Sequence, residues 1–408
     1  MYHKKFYLIY FLVFLIIPST SMAYNYEYIW STMLANSSDL QSEIPVSSTE
    51  DNFLNLESTS AILIEQFSGN VLFEKNSHEQ LRPASVTKIM SVLLVMEALD
   101  RNEITLDTPI PCSEHARSMG GSQIWLDTTE TLSVNDMLKA VLVVSANDCI
   151  VALGEYLSGS ESAFVQKMNE RAKELGMNDT NFMNCHGIDE DGHVTSSYDI
   201  AIMSRELLLN HPSVINYTTI YMDSLRDGKS QLVNTNKLVR TYNGCTGLKT
   251  GSTSLALYNL SASATRDNLS LIAVIMHSPS SVIRFNEAKT LLDYGFSNYS
   301  AISLGKTNEV VSTIKVSKGT SDNLNCVFNS SSTIVIKKGL ENSIVQNISI
   351  PDVVEAPIEK GEKIGKASYL INDNVIAEID IVAENSINKS NLFNINNELC
   401  KKWFNLIR

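Results

Sequence analysis

The 408-residue chain carries only 32 Lys and Arg against 45 Asp and Glu, a formal net charge of −13. It has no clustered basic excess to neutralise phosphates, so nucleic acid is excluded as a partner. Eighteen Gly and nine Pro are too few for a fibrous or mainly disordered protein. Six cysteines (Cys112, Cys149, Cys185, Cys245, Cys326 and Cys400) are sparse for this length. No close-spaced C-x-x-C pair points to zinc or thioredoxin chemistry, and no disulfide is expected. Long apolar runs are missing except at the N-terminus, which excludes a polytopic membrane protein. What is there, 44% apolar and 19% charged residues, suits a globular chain of two domains.

The N-terminus reads as an export signal. His3, Lys4 and Lys5 form a basic start, residues 6–17 are apolar or aromatic, and Pro18 ends the run. Ser21-Met22-Ala23 offers small residues at the two positions a signal peptidase reads. As a helix the run rises roughly 18 Å, short of the ~30 Å hydrocarbon core, so cleavage after residue 23 is expected rather than a permanent span. Residues 24–56 are polar, aperiodic and read as a spacer.

From residue 60 the texture changes. Apolar runs at 61–64 and 71–73 flank Ser68-Gly69-Asn70, a hairpin signal. Residues 85–99 predict a helix with few polar positions, preceded by Pro83 and destined for the core. Helical patterns recur at 134–158 and 161–175, and strands return at 258–265 and 269–276 around Asp267-Asn268. Hairpin, helices and hairpin in that order predict an α+β domain with an antiparallel sheet. Beyond residue 299, short runs at 310–316, 333–336, 343–350, 364–371 and 375–382 alternate with turn residues, as in a small all-β domain. The expected bodies are 57–300 and 301–388.

Residues 389–408 stand apart. Leu392, Ile395, Leu399, Trp403 and Leu406 recur at helical spacing, with Phe404 and Ile407 widening the stripe and Lys401, Lys402 and Arg408 beside it. A basic amphipathic helix of this kind lies in a membrane interface or docks its stripe on the β domain. The basic cluster matters because the rest of the chain is acidic and repelled by anionic lipid.

The chemistry-bearing residues are more specific. Ser85-Val86-Thr87-Lys88 is an S-x-x-K, a pattern also met at Ser303/Lys306, Ser312/Lys315 and Ser386/Lys389. Only Ser85 opens a long apolar helix, where positions i and i+3 share a face and first-turn N–H groups are free to stabilise an oxyanion. Ser145-Ala146-Asn147 is one of five S-x-N matches, and Lys249-Thr250-Gly251 occurs once, followed by Ser252. A serine hydroxyl needs a base, and Lys88 serves only when neutral. Burial and the like charge of Lys249 both favour the neutral form; a shift of about three units, or ~4 kcal/mol, is required.

The ordered trio of S-x-x-K, S-x-N and K-T-G is the signature of penicillin-binding proteins and serine β-lactamases. Through residues 83–90, 118–123, 145–148, 184–187 and 246–251 the chain resembles the serine-type D-alanyl-D-alanine carboxypeptidases, the low-molecular-mass penicillin-binding proteins. The resemblance is close over roughly 57–300 and extends in architecture to the β domain and amphipathic tail. It implies a β-lactamase/transpeptidase-like domain, an antiparallel sheet flanked by helices, followed by a small all-β sandwich. It also implies roles: Ser85 is acylated by the penultimate D-Ala, Lys88 is its base, and Ser145 relays the proton to the departing amine. Asn147 holds Lys88 and the substrate amide, and Lys249 and Thr250 receive the terminal carboxylate. Gly251 and Ser252 complete the substrate site, Ser252 N–H pairing with that of Ser85 as oxyanion donor.

The implied substrate is the peptidoglycan pentapeptide, the implied inhibitors are β-lactams, and no cofactor or metal is implied. The expected location is outside the cytoplasm, on the outer face of the cytoplasmic membrane or in the cell wall. Rival readings are a β-lactamase or D,D-endopeptidase on the same residues, and a non-catalytic β-lactam or wall-binding protein, which would not require the base. Cys185, His186, Asp189, Asp191 and His193 resemble metal ligands but lack helical i, i+4 histidines. Glu114-His115 reads as solvated loop, Cys149 as a packing residue, and Trp125 and Tyr156 as core.

Overall fold

The computed structural model describes residues 53–391. The export signal, most of the polar spacer and nearly all of the amphipathic tail lie outside the described residues.

The first body is built on a five-stranded antiparallel sheet. Its strands are β1 (Ser60–Glu65), β2 (Val71–Lys75), β3 (Cys245–Thr253), β4 (Leu257–Arg266) and β5 (Leu269–Ser278), in the order β2-β1-β5-β4-β3. Both expected hairpins are present, and the chain termini of this body meet where β1 pairs with β5, Ile62 opposite Val274 and Leu63 opposite Ala273. These central strands read as continuous apolar runs because both of their faces are covered. Ile62, Ile64, Ile272, Val274 and Met276 belong to a core shared with the helices α1 (Lys88–Asp100), α2 (Val134–Val143), α3 (Asn147–Ser158), α4 (Glu161–Glu174) and α5 (Ser197–Asn210). Their alternates Ala61, Leu63, Leu271, Ala273 and Ile275 pack with Phe285, Ala288, Leu291 and Leu292 of α6 (Ser281–Asn298) on the opposite face.

Four of these helices start from serine caps: Ser133, Ser160, Ser196 and Ser280 each accept the N–H three residues on. Helix α1 departs from this pattern. It is buried from Lys88 to Met96 and has no polar side-chain cap, because it runs through the centre of the helical block.

Three local readings are corrected. The pattern over 134–158 is two helices, broken at residues 144–146, where Ser145 adopts a φ of 66°. Trp125 is 77% exposed and Tyr156 47% exposed rather than core. Trp125 sits at φ 60° between buried Ile124 and Leu126, whose N–H groups both bond the Asp148 carboxylate, so the intervening side chain turns outward. Glu114 and His115 lie in a one-turn helix, Glu114–Arg117, and His115 Nε2 is 2.7 Å from Glu161 Oε2.

The second body is all-β, as expected. Its strands are β6 (Tyr299–Leu304), β7 (Val310–Ser317), β8 (Asn323–Phe328), β9 (Ser332–Lys337), β10 (Val345–Ser349), β11 (Val353–Glu355), β12 (Lys363–Ile371) and β13 (Asn374–Ala383). Six form a sheet in the order β10-β12-β13-β8-β7-β11, and β6 pairs with β9. Leu304, Ile314, Leu324, Cys326, Phe328, Tyr369, Ile379 and Ile381 form its core. The sequence pattern misses β8, whose apolar positions alternate with Asn323 and Asn325, residues that disfavour strands.

Candidate active site

Ser85 lies in a 3₁₀ turn, Ala84–Thr87, and the α-helix proper starts only at Lys88. The tighter winding has a chemical consequence: side chains at i and i+3 eclipse in a 3₁₀ turn. Lys88 Nζ is accordingly 3.1 Å from Ser85 Oγ. The turn is held from several sides. Met183 N donates to His193 Nδ1, His193 Nε2 faces Thr87 Oγ1 at 2.8 Å, and Thr87 Oγ1 donates to Ala84 O. Burial lowers the His193 pKa to about 4, so the ring is a neutral strut at ordinary pH. Gly251 approaches from β3: a Cβ there would stand 2.9 Å from Pro83 O, Ser85 N and Val86 N, so only glycine lets this strand reach the nucleophile turn.

Lys88 is fully buried. Its amine also meets Asn147 Oδ1 and His186 O, each at 2.6 Å. Both are acceptors without protons to give, so they take two amine hydrogens, and the remaining tetrahedral direction faces Ser85 Oγ. Burial pushes the Lys88 pKa down to about 7, with Cys185 and Asp148 opposing it. The expected contribution of Lys249 to this shift falls instead on Lys249 itself. Burial first, then repulsion from Lys88 and Arg284, holds that lysine well below its ordinary value.

The break between α2 and α3 brings Ser145 to the site, where its Oγ accepts from Lys249 Nζ at 2.8 Å. Asn147 is anchored through Nδ2 to Gly120 O and through its own N–H to Ser122 O, both at 2.7 Å. The segment 118–123 therefore joins the site through backbone carbonyls. Lys249 is buried, Thr250 is buried, and Ser252, two residues further along β3, is exposed. The Lys88 amine thus joins Ser85 to Asn147, Ser145 meets Lys249, and Gly251 of β3 stands against the Ser85 turn, with Thr250 and Ser252 flanking it on the same strand.

Two neighbours carried no sequence signal. Thr235 Oγ1 accepts from Thr250 Oγ1 at 2.7 Å. Arg284 is buried on α6 and donates to Gly251 O at 3.1 Å and Asn259 O at 3.0 Å, fixing the backbone of β3 from behind. Neither sits in a motif, and only the fold makes them neighbours of K-T-G.

The candidate metal cluster is dispersed. Cys185 Sγ donates to Glu161, His193 supports Thr87, and Asp191 pairs with Arg82 at 3.0 Å. Among the described residues no His, Cys, Asp and Glu group could hold a metal ion. Cys149 is fully buried, and burial pushes its thiol pKa well up, as suits a packing residue. The five cysteines among the described residues are free thiols.

Known proteins resemble this chain in sequence and fold. The sequence profile of the D-alanyl-D-alanine carboxypeptidase family, peptidase S11, matches residues 46–280, and that of the penicillin-binding protein 5 C-terminal domain matches residues 299–389. The chain is 43% identical over 338 residues to the D-alanyl-D-alanine carboxypeptidase DacF of Bacillus subtilis, covering 82% of this chain and 87% of that protein. It is 30% identical over 340 residues to DacC of Escherichia coli, covering 81% and 84%. Penicillin-binding protein 5 from Haemophilus influenzae superposes with a TM-score of 0.71 at 30% identity, over 82% of this chain and 98% of that one. Penicillin-binding protein D2 from Listeria monocytogenes, in its ampicillin-bound form, gives a TM-score of 0.55 at 32% identity over 60% and 99%. A serine, two lysines and an asparagine gathered by the fold, within a chain matched over most of its length, make this protein a member of the D-alanyl-D-alanine carboxypeptidase family.

Proposed function

We propose that this chain removes the terminal D-alanine from peptidoglycan pentapeptides through an acyl-enzyme on Ser85. The observation that carries the reading is the Lys88 amine, 3.1 Å from Ser85 Oγ with Asn147 Oδ1 and His186 O as its other partners. That environment suits a neutral amine with its lone pair on the serine proton. The Ser85 proton passes to Lys88 as Oγ attacks the penultimate D-Ala carbonyl. Backbone N–H groups of Ser85 and Ser252 receive the oxyanion.

The C–N bond to the terminal D-Ala then breaks, and the proton taken up by Lys88 is relayed through Ser145, which is bonded to Lys249, to the departing amine. Water hydrolyses the ester and regenerates Ser85. The substrate carboxylate is received by Lys249 and Thr250. Without an anion, the Lys249 charge is destabilised by burial and by Lys88 and Arg284, so an arriving carboxylate supplies the missing counter-charge. Gly251 keeps β3 close enough to Ser85 for this.

A penicillin presents a strained amide and a carboxylate in the same relation. After exposure to penicillin, mass spectrometry is expected to find the adduct on the peptide carrying Ser85, and the untreated protein is expected to release D-Ala from a pentapeptide. Penicillin hydrolysis within seconds with no D-Ala release would instead assign the site to a β-lactamase.

The proposed location is the outer face of the cytoplasmic membrane, reached by export and held by residues 389–408. Among the described residues no helix is long and apolar enough to cross a membrane. Truncation after Asn388 is expected to move the protein from the membrane to the soluble fraction; unchanged partition would mean that the stripe docks on the β domain. Residues 57–300 are taken as the catalytic domain and 301–388 as the β domain.

A further inference from the structure

The loop that supplies one of the Lys88 acceptors is itself held by a carboxylate that the chemistry above leaves unused. Two successive carbonyls land on α1: Cys185 O accepts from Ser91 Oγ and His186 O from Lys88 Nζ, each at 2.6 Å. The N–H and thiol of Cys185 and the Nε2 of His186 converge on Glu161. Its Oε1 accepts from Cys185 N at 3.1 Å and from Cys185 Sγ at 3.3 Å, and lies 3.4 Å from His186 Nε2. Ile188 N donates to His186 Nδ1, which leaves the proton of the neutral ring on Nε2, facing that oxygen. Glu161 Oε2 meets His115 Nε2 at 2.7 Å.

Glu161 is well placed to stay ionised and still. It is the first residue of α4, where the helix dipole favours a carboxylate, and its neighbour Ser160 caps that helix. With Ser162, Val165, Phe182 and Met183 it also lines an open depression of about 330 Å³. The carboxylate therefore stands between solvent in that depression and the loop that touches Lys88.

We infer that Glu161 is the positioning residue of the general base: it fixes the Cys185–His186 backbone so that His186 O takes one Lys88 hydrogen while the lone pair stays on Ser85. The inference rests on the Ser85–Lys88 reading of the function. Glu161 touches neither Lys88 nor the nucleophile and acts only through this loop. The ionisable groups facing Lys88 are Asp148 from α3, Cys185 and His186 from the loop, and Lys249 from β3, with Arg284 acting on Lys249. Asp148 and Lys249 make no contact with Glu161, whereas Cys185 and His186 both face its carboxylate, which raises their pKa values. Removing its carboxylate leaves the Cys185 N–H and thiol without their acceptor and opens the loop to water from the depression. Burial is what keeps Lys88 neutral, so hydration moves its titration upward.

The experiment is stopped-flow acylation by a fluorescent penicillin as a function of pH, together with KM for D-Ala release from a pentapeptide. Glu161→Ala is expected to slow acylation about tenfold or more and to move the acid limb up by about one pH unit, with KM within about twofold. Glu161→Asp, whose carboxylate is withdrawn by one methylene, folds more readily and is expected to shift the limb the same way. Glu161→Gln keeps an acceptor oxygen for Cys185 and is expected to retain most of the rate. Acylation by Glu161→Ala and Glu161→Asp at the wild-type rate and pH dependence would overturn the inference, as would a rate loss with no movement of the limb, or a Gln variant as impaired as the Ala variant. The wild-type control separates the two readings. If wild-type Ser85 is acylated while the variants behave identically, only the role of Glu161 falls; if wild type is not acylated, the catalytic reading falls with it.

Discussion

Lys88→Met is expected to slow acylation of Ser85 by about 10³-fold or more, within the range that general-base catalysis supplies. Methionine matches the length of the lysine stem and fills the same buried channel, so the loss reports chemistry rather than a collapsed core. Lys88→Arg is expected to be equally slow, because a guanidinium keeps its proton. The wild-type rate should rise with pH through about 7 as Lys88 becomes neutral, and this limb should vanish in both variants. The same residue makes a stability prediction. The folded pKa of about 7 lies below the ordinary value of 10.5, so between these the unfolded chain binds the additional proton and stability rises with pH. The full difference amounts to about 5 kcal/mol, present above the unfolded pKa and lost as pH falls through the folded one. Denaturant titrations across this range should show a shallower slope for Lys88→Met. A Met variant acylated within about tenfold of wild type would remove Lys88 from its role.

Gly187→Ala is expected to abolish acylation and to destabilise the protein by about 3 kcal/mol or more. Gly187 has a φ of 92°, and a Cβ there would lie 1.9 Å from Ala84 O and 2.9 Å from Ser85 N. Both atoms are backbone in the nucleophile turn, so no side-chain rotation can relieve the clash. Either the 184–187 loop retreats, taking His186 O from Lys88, or the turn carrying Ser85 moves. In both cases the 3.1 Å contact between Lys88 and Ser85 is lost. Thermal unfolding should show a midpoint lowered by roughly 6–12 °C, and a fluorescent penicillin should fail to label the protein. Labelling at the wild-type rate would show that the turn tolerates displacement and that its geometry is not limiting.

Much of this molecule is legible in one dimension. The apolar runs in β1 and β5 and the apolar length of α1 announce a sheet with helices on both faces, because strands and helices buried all round lose their polar alternation. The candidate site residues were legible because S-x-x-K, S-x-N and K-T-G pair residue types suited to one chemistry. Other features could not be read. Trp125 looks like core by composition, yet a left-handed backbone pinned by Asp148 turns it outward. The helix over 134–158 looks continuous, yet its break is what delivers Ser145 to Lys249.

By itself, then, the sequence determined the fold class and which side chains are candidates for the chemistry, since both follow from local pattern and residue type. Tertiary structure alone decided the burial that lowers the Lys88 pKa, the contacts made by Thr235, Arg284 and Glu161, and the close approach of Gly251 and Gly187. Those depend on burial and on contacts between residues remote in the chain: Glu161 reaches Lys88 only through a loop that begins more than twenty residues further on, and Arg284 reaches K-T-G from the far face of the sheet. Desolvation is a property of the packed interior, and no spacing along the chain encodes how completely an amine is removed from water.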